Sequence, residues 1–242
     1  MNIRILAMAL IGSLASPAMA QDFDWNGFYL GVHGGAGAGT IEDVANPSAT
    51  PKNLSGYLGG VQAGFNVQTD NGLVFGIEGD WSAANIGEDW YGRDTNEFDA
   101  YYGSDRITSL GTLRGRLGFA SGQFLPYVTA GLAIAGTEHV LGCDANLVGL
   151  TNSCGASSVG VGAADDPGTP WEDSNTGTFV GWTIGAGAEF AVSDTISLKG
   201  EVLYGDLGSQ TVVLKDPDYP QYDNREFATT FTAARLGLNF SF

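Results

Sequence analysis

Two cysteines, two histidines and a surplus of carboxylates are the residues in this 242-residue chain with chemistry to offer. Cys143 and Cys154 have ten residues between them. A zinc centre needs further ligands, and no histidine or third cysteine lies nearby. In an oxidising compartment the expected product is a disulfide, closing a short loop at a gain of about 2–3 kcal/mol. His33 alternates with Tyr29 and Gly31 and is expected to be a hydrogen-bonded interior residue, while His139 is expected to open a long loop. Nucleophilic catalysis requires a base, a nucleophile and an orienting acid within reach. Neither histidine has serine and a carboxylate at a recognisable spacing, and the H-E-x-x-H metalloprotease pattern is absent. The run Gly34-Gly-Ala-Gly-Ala-Gly39 looks like a dinucleotide loop, yet no helix and no ribose-binding acid follow it. No catalytic residue, cofactor or metal centre is expected, and the chain is read as a non-enzyme.

The carboxylates are concentrated. Against 27 Asp and Glu stand 10 Lys and Arg, which excludes a nucleic-acid binder, since affinity for phosphate backbones comes from clustered cations. Four stretches, 38–54, 86–105, 138–176 and 208–227, hold 18 of the acids and 4 of the bases. Asp165, Asp166, Asp216 and Asp218 are the densest places for Mg²⁺ or Ca²⁺, but no spacing matches a calcium loop. A solvated acidic surface is the plainer expectation. Trp90, Tyr91, Tyr101, Tyr102, Trp171 and Tyr219 lie in the same stretches, where they either meet partners or pack small satellite clusters.

The elements that position these residues follow from periodicity. Residues 1–20 read as a secretory signal: Arg4, an apolar stretch from Ile5 to Leu14, and an A-x-A cleavage site at Ala18, Met19 and Ala20. Removing it leaves one domain, 21–242, and takes the net charge from −17 to −18. No later run is apolar enough for a membrane-spanning helix. A content of 37 Gly disfavours long helices, while 43% hydrophobic residues suffice to cover a surface. Eight segments alternate with period two: 26–37, 55–68, 73–85, 106–119, 124–137, 177–191, 195–207 and 228–242. Tight turns at 69–72, 120–123 and 192–194 alternate with the four long stretches. Short and long connections in alternation suit an up-and-down barrel with its turns at one end and its loops at the other.

One face of each segment is apolar, as in Phe28, Leu30 and Val32, or Leu113, Leu117 and Phe119. The opposite face carries Gln62 and eight ionisable residues: Glu78, Asp80, Arg114, Arg116, Glu189, Lys199, Glu201 and Arg235. A lipid-facing charge near a bilayer midplane costs about 2–4 kcal/mol, so the second face must point inward. Four acids against four bases is the balance a narrow, dry interior requires. Trp25, Phe28, Tyr57, Trp81, Phe124, Trp182 and Tyr204 bound the apolar faces as interfacial girdles would. The expected fold is all-β: an eight-stranded antiparallel up-and-down transmembrane β-barrel with short periplasmic turns and four long extracellular loops. Its interior is just wide enough to be filled by side chains, so a plugged cylinder is expected.

Asp24-Trp-Asn-Gly-Phe-Tyr-Leu-Gly-Val32, Leu-Pro-Tyr-Val-Thr-Ala-Gly at 125–131, Ser-Leu-Lys-Gly-Glu at 197–201 and Phe242 carry a resemblance. The chain resembles the outer-membrane β-barrel proteins of alphaproteobacteria, the immunogenic surface proteins often labelled "porin family" and related to opacity-type and OmpA-like barrels. The resemblance implies the bacterial outer membrane as location, with lipid and lipopolysaccharide as surroundings. It also implies assembly by the outer-membrane insertion machinery, with the strand holding Phe240 and Phe242 as its signal. A structural and surface-interaction role, with host or surface partners at the loops, is the leading functional expectation. A small-solute porin or a haem or ligand uptake barrel is the alternative, and an outer-leaflet lipid-modifying enzyme comes third.

Overall fold

The computed structural model describes residues 23–44, 51–91, 101–144, 154, 169–217 and 223–242. The signal read at 1–20 and the carboxylates Asp165, Asp166 and Asp218 lie outside the described residues. Eight strands follow in chain order: β1 (Gly27–Asp43), β2 (Lys52–Gln68), β3 (Leu73–Tyr91), β4 (Tyr101–Phe119), β5 (Phe124–Cys143), β6 (Trp171–Ser193), β7 (Ile196–Val213) and β8 (Asn224–Ser241). Each pairs antiparallel with its neighbours, and β1 pairs β8 to close the barrel. Closure removes both sheet edges, so every strand can satisfy its backbone on two sides.

The turns sit at one end. Gly72 adopts φ +83°, a conformation that costs glycine little, and its amide donates to the Thr69 carbonyl at 2.9 Å. Gly122 (φ +60°) serves the next turn, whose carbonyl accepts from the Trp25 indole at 3.2 Å.

Alternation then assigns two surfaces. Leu117 and Ile184 face outward, 45% and 50% exposed, whereas Arg116 and Glu189 face inward at 4% and 3%. Phe28, Leu30, Val32, Phe65, Phe75, Ile77, Val128, Leu198, Val202 and Leu238 join the outer band. A continuous apolar band on the outside of a closed sheet is stable only against hydrocarbon. Tyr57, Trp81, Trp182 and Tyr204 stand exposed among the outward residues of this band. Trp25 does not join a girdle. It is buried and packs with Phe23, Val74, Leu125 and Ala191 as an apolar stopper in the turn-end mouth.

The strands run further toward the loop end than the periodicity predicts. β1 continues to Asp43, β4 begins at Tyr101, and β6 begins at Trp171. Toward the loop end, within the expected segments and beyond them, the two faces exchange character. The outward positions become Thr178, Thr176, Ser174 and Glu172 on β6, while Phe179, Leu203, Leu207, Phe231 and Ile107 turn inward. A sequence reading that looks for an apolar outer face stops where that face becomes polar. His139 therefore lies inside β5, fully buried, rather than at a loop entrance.

Candidate functional site

The eight inward charges meet at one level of the lumen because their strands are in register. Glu78 stands opposite Arg114, Glu189 opposite Lys199, and Glu201 opposite Arg235. The side chains then reach across the barrel as well as between neighbours. Arg114 is the hub: its guanidinium lies 2.5 Å from Glu78, 2.9 Å from Asp80 and 2.7 Å from Glu201. Its Nε donates to Thr112 Oγ1 at 2.8 Å, and the Thr112 hydroxyl donates to Asp80 at 2.5 Å. Arg235 bridges Asp80 at 2.9 Å and Glu201 at 2.5 Å. Lys199 Nζ reaches Glu78 at 2.6 Å and Glu201 at 3.6 Å. A smaller pair sits beside these six, Arg116 with Glu189 at 2.6 Å.

Tyrosines join the two groups. The Tyr29 hydroxyl donates to Glu78 at 2.7 Å, the Arg116 guanidinium lies over the Tyr127 ring at 3.8 Å, and Tyr127 donates to Glu201 at 3.4 Å. Glycines make room for these rings, since the Tyr29 ring occupies the place a Cβ at Gly64 would take, and Tyr127 that of Gly187. All eight charges are at most 9% exposed. Ions buried so deeply repay their desolvation only when closely paired, and each carboxylate here has at least one cation within 2.9 Å. His33 is buried at the same level, between Gln62 at 3.0 Å and Ser82 at 2.7 Å, as an interior histidine.

Above this charged layer apolar side chains dominate the lumen. Leu58, Leu110, Phe179, Leu203, Leu207, Phe231, Ile86 and Ile107 fill it, with Tyr101 and the Cys143–Cys154 disulfide (Cα–Cα 5.8 Å) near the top. The charged layer is thus sealed between an apolar stopper below and an apolar core above. The upper core is what the sequence reading missed, because it expected the inward face to stay polar along its whole length. A second missed group is His139, within 2.7 Å of Asp105 and 3.0 Å of Thr137, and stacked on Phe227 at 4.9 Å. Asp105 and His139 lie 34 residues apart and meet only through the β4–β5 register. The order Thr–His–Asp matches a nucleophile, base and orienting acid. Here it is buried under the Phe179 and Phe227 rings, where its hydrogen bonds join the tops of β4 and β5.

Asp216 is buried near Tyr101 at 3.5 Å and Arg225 at 4.0 Å. Phe240 is half-exposed on the outer band, and the Phe242 ring lies 6.4 Å from that of Phe28. Among the described residues no group of three or more His, Cys, Asp or Glu is arranged to hold a metal ion.

Comparison with known proteins agrees with this architecture. The family model described as outer membrane protein beta-barrel domain matches residues 6–242. A 31 kDa outer-membrane immunogenic protein of Brucella melitensis biotype 1 is 32% identical, covering 95% of this chain and 89% of its own. A 22 kDa outer membrane protein of Rhizobium leguminosarum bv. viciae is 28% identical, over 90% of this chain and 78% of its own. The solved structure of Neisserial surface protein A superposes with a TM-score of 0.42 at 13% identity, covering 89% of this chain and 97% of that one.

Proposed function

The chain belongs to the outer-membrane β-barrel protein family, and from that premise we propose that it is a structural and surface-interaction protein of the bacterial envelope with a plugged lumen. One observation carries the reading: a neutral set of eight buried charges, locked by ion pairs, lies between two apolar layers. Ions crossing the barrel would have to break those pairs and then pass hydrocarbon, and both steps are costly.

The proposed role is to anchor a stiff cylinder in the outer membrane and to present its loops to partners or hosts. The immunogenic names of the Brucella relatives fit such a surface role. Catalysis is not part of the proposal, because the Thr137–His139–Asp105 group is buried. The strand bearing Phe240 and Phe242 is proposed as the signal for the insertion machinery, and residues 1–20 as the export signal removed beforehand.

Planar-bilayer recording tests the plug. The folded protein is expected to give no stable conductance of the size shown by wide general porins. Sustained openings of that size would overturn the reading.

A further inference from the structure

Toward the turns the charged layer ends in a polar ring whose hydrogen bonding is incomplete. Asn66, Arg116, Glu189, Ser197 and Asn239 form it, each at most 4% exposed. Arg116 pairs with Glu189 at 2.6 Å, and Ser197 Oγ donates to Glu189 at 3.0 Å. Asn66 Oδ1, Arg116 Nε and Asn239 Nδ2 have no hydrogen-bond partner among protein groups. Buried polar atoms are almost always bonded, to protein or to water.

Strand register fixes where the partner belongs. Gly76 on β3 pairs with Asn66 of β2 on one side and Arg116 of β4 on the other. A Cβ at Gly76 would collide with Asn66 Oδ1, so the amide oxygen leans over the glycine toward β4. Asn239 leans over Gly31 in the same way, its Oδ1 accepting from Gln62 at 2.6 Å while Nδ2 is left unbonded. A partner above Gly76 must donate to Asn66 and accept from Arg116. The eight luminal charges already sum to zero, so a buried ion there would be unbalanced and costly. Water is neutral and small, and it both donates and accepts.

The next inward positions toward the turns are Gln68 on β2, Val74 on β3, Leu125 on β5 and Ala191 on β6. Trp25 lies across them. Its amide donates to Gln68 Oε1 at 2.9 Å, and its indole donates to the Gly122 carbonyl of the β4–β5 turn at 3.2 Å. The Gln68 amide donates to Asn26 Oδ1 at 2.7 Å. Residues 23–26 belong to no strand, and Gly27 (φ +113°) turns the chain into β1. Lifting this strap therefore breaks no ladder hydrogen bond, whereas the apolar core at the other end cannot part without unpacking.

We propose that the polar ring is a hydration site, with a water bridging Asn66 Oδ1 and Arg116 Nε above Gly76, and that residues 23–26 are its lid. Water enters and leaves from the turn end alone, when Trp25 lifts. The site rests on the plugged lumen, whose own failure would show separately as conductance in planar bilayers.

The test uses the folded protein, labelled with ¹³C and ¹⁵N in phosphatidylcholine bilayers, with the Arg116 Nε–H signal followed by NMR. Wild type is expected to show magnetisation transfer from water to that proton, together with slow exchange for deuterium. Asn66→Leu should weaken the transfer several-fold. Trp25→Ala should speed the exchange at least tenfold. Trp25→Phe, which keeps a ring over the mouth and loses the indole bond to Gly122, should speed it several-fold. Phe179→Ala, in the upper core, should exchange at the wild-type rate. Absence of water transfer, or full transfer in Asn66→Leu, would overturn the site. Equal exchange in wild type and both Trp25 variants would overturn the lid, as would acceleration by Phe179→Ala. A signal that shifts when sulfate replaces chloride would assign an anion to the ring and overturn the proposal too.

Discussion

Individual charges in the lumen are unequal in what their removal does. Arg116 and Glu189 form a nearly closed pair, so deleting either side chain leaves one buried ion facing few alternatives. Arg116→Ala and Glu189→Ala are each expected to cost about 3 kcal/mol or more in urea unfolding from lipid vesicles. The double variant should cost clearly less than the two summed, because no ion is then stranded. Arg114 behaves differently. It faces three carboxylates, so Arg114→Ala combined with Glu201→Ala also loses the Arg114 contacts to Glu78 and Asp80, which keep Lys199 and Arg235 as partners. That cycle should recover a smaller fraction of the summed cost than the Arg116–Glu189 cycle. A result in which both cycles recover equally would mean that the hub is not shared as the distances indicate. The membership of this charged layer was legible from residue type and alternation alone. Its partners were not, since Glu78 pairs with Lys199 across 121 residues and the intervening loops do not fix register.

Strands show the same division. Period-two patterning located all eight, because lipid demands an apolar outer face and the chain supplies one. The strand tops read as loops in the sequence because the demand changes beyond the band, where water replaces lipid outside and an apolar core replaces the charges inside. The pattern of β6 from Trp171 to Thr178 is therefore polar outward with no apolar signal to follow. One seam is also weaker than the others. The β6–β7 ladder ends at Trp182–Asp206, although β6 runs on to Trp171 and β7 to Val213. Side chains span the remainder: Asn175 Nδ2 donates to the Val213 carbonyl at 2.8 Å, and the Lys215 amide donates to Asp173 at 2.7 Å. Amides of 172–181 and 207–213 that point into this seam are expected to exchange with deuterium faster than those of the β5–β6 ladder at the same height. Asn175→Ala should accelerate them further. Uniform protection across both ladders would show the seam to be as tight as the rest.

At the scale of the whole molecule, closure and sealing make the fold cooperative, since no strand can leave without opening both of its neighbours. The protein is therefore expected to migrate faster on gels when loaded unheated than after boiling, and to partition with outer-membrane vesicles. Identical migration in the two states would contradict a barrel that survives detergent. Mass mapping without reductant should recover one crosslinked peptide pair containing Cys143 and Cys154, and finding two free thiols would remove the covalent tie at the loop end.

The mismatch between strand length and band height has a consequence outside the membrane. β6 has 23 residues, and at about 3.3 Å per residue and a tilt near 40° it stands on the order of 55 Å tall, so about half of its height lies beyond an apolar band of about 25 Å. In the proposed orientation the loops ride on a turret filled mostly by apolar side chains, lifted toward the outer margin of the surrounding carbohydrate. On the proposed surface role, an antibody or a receptor would meet the turret's crown before it reached the sugars at its foot.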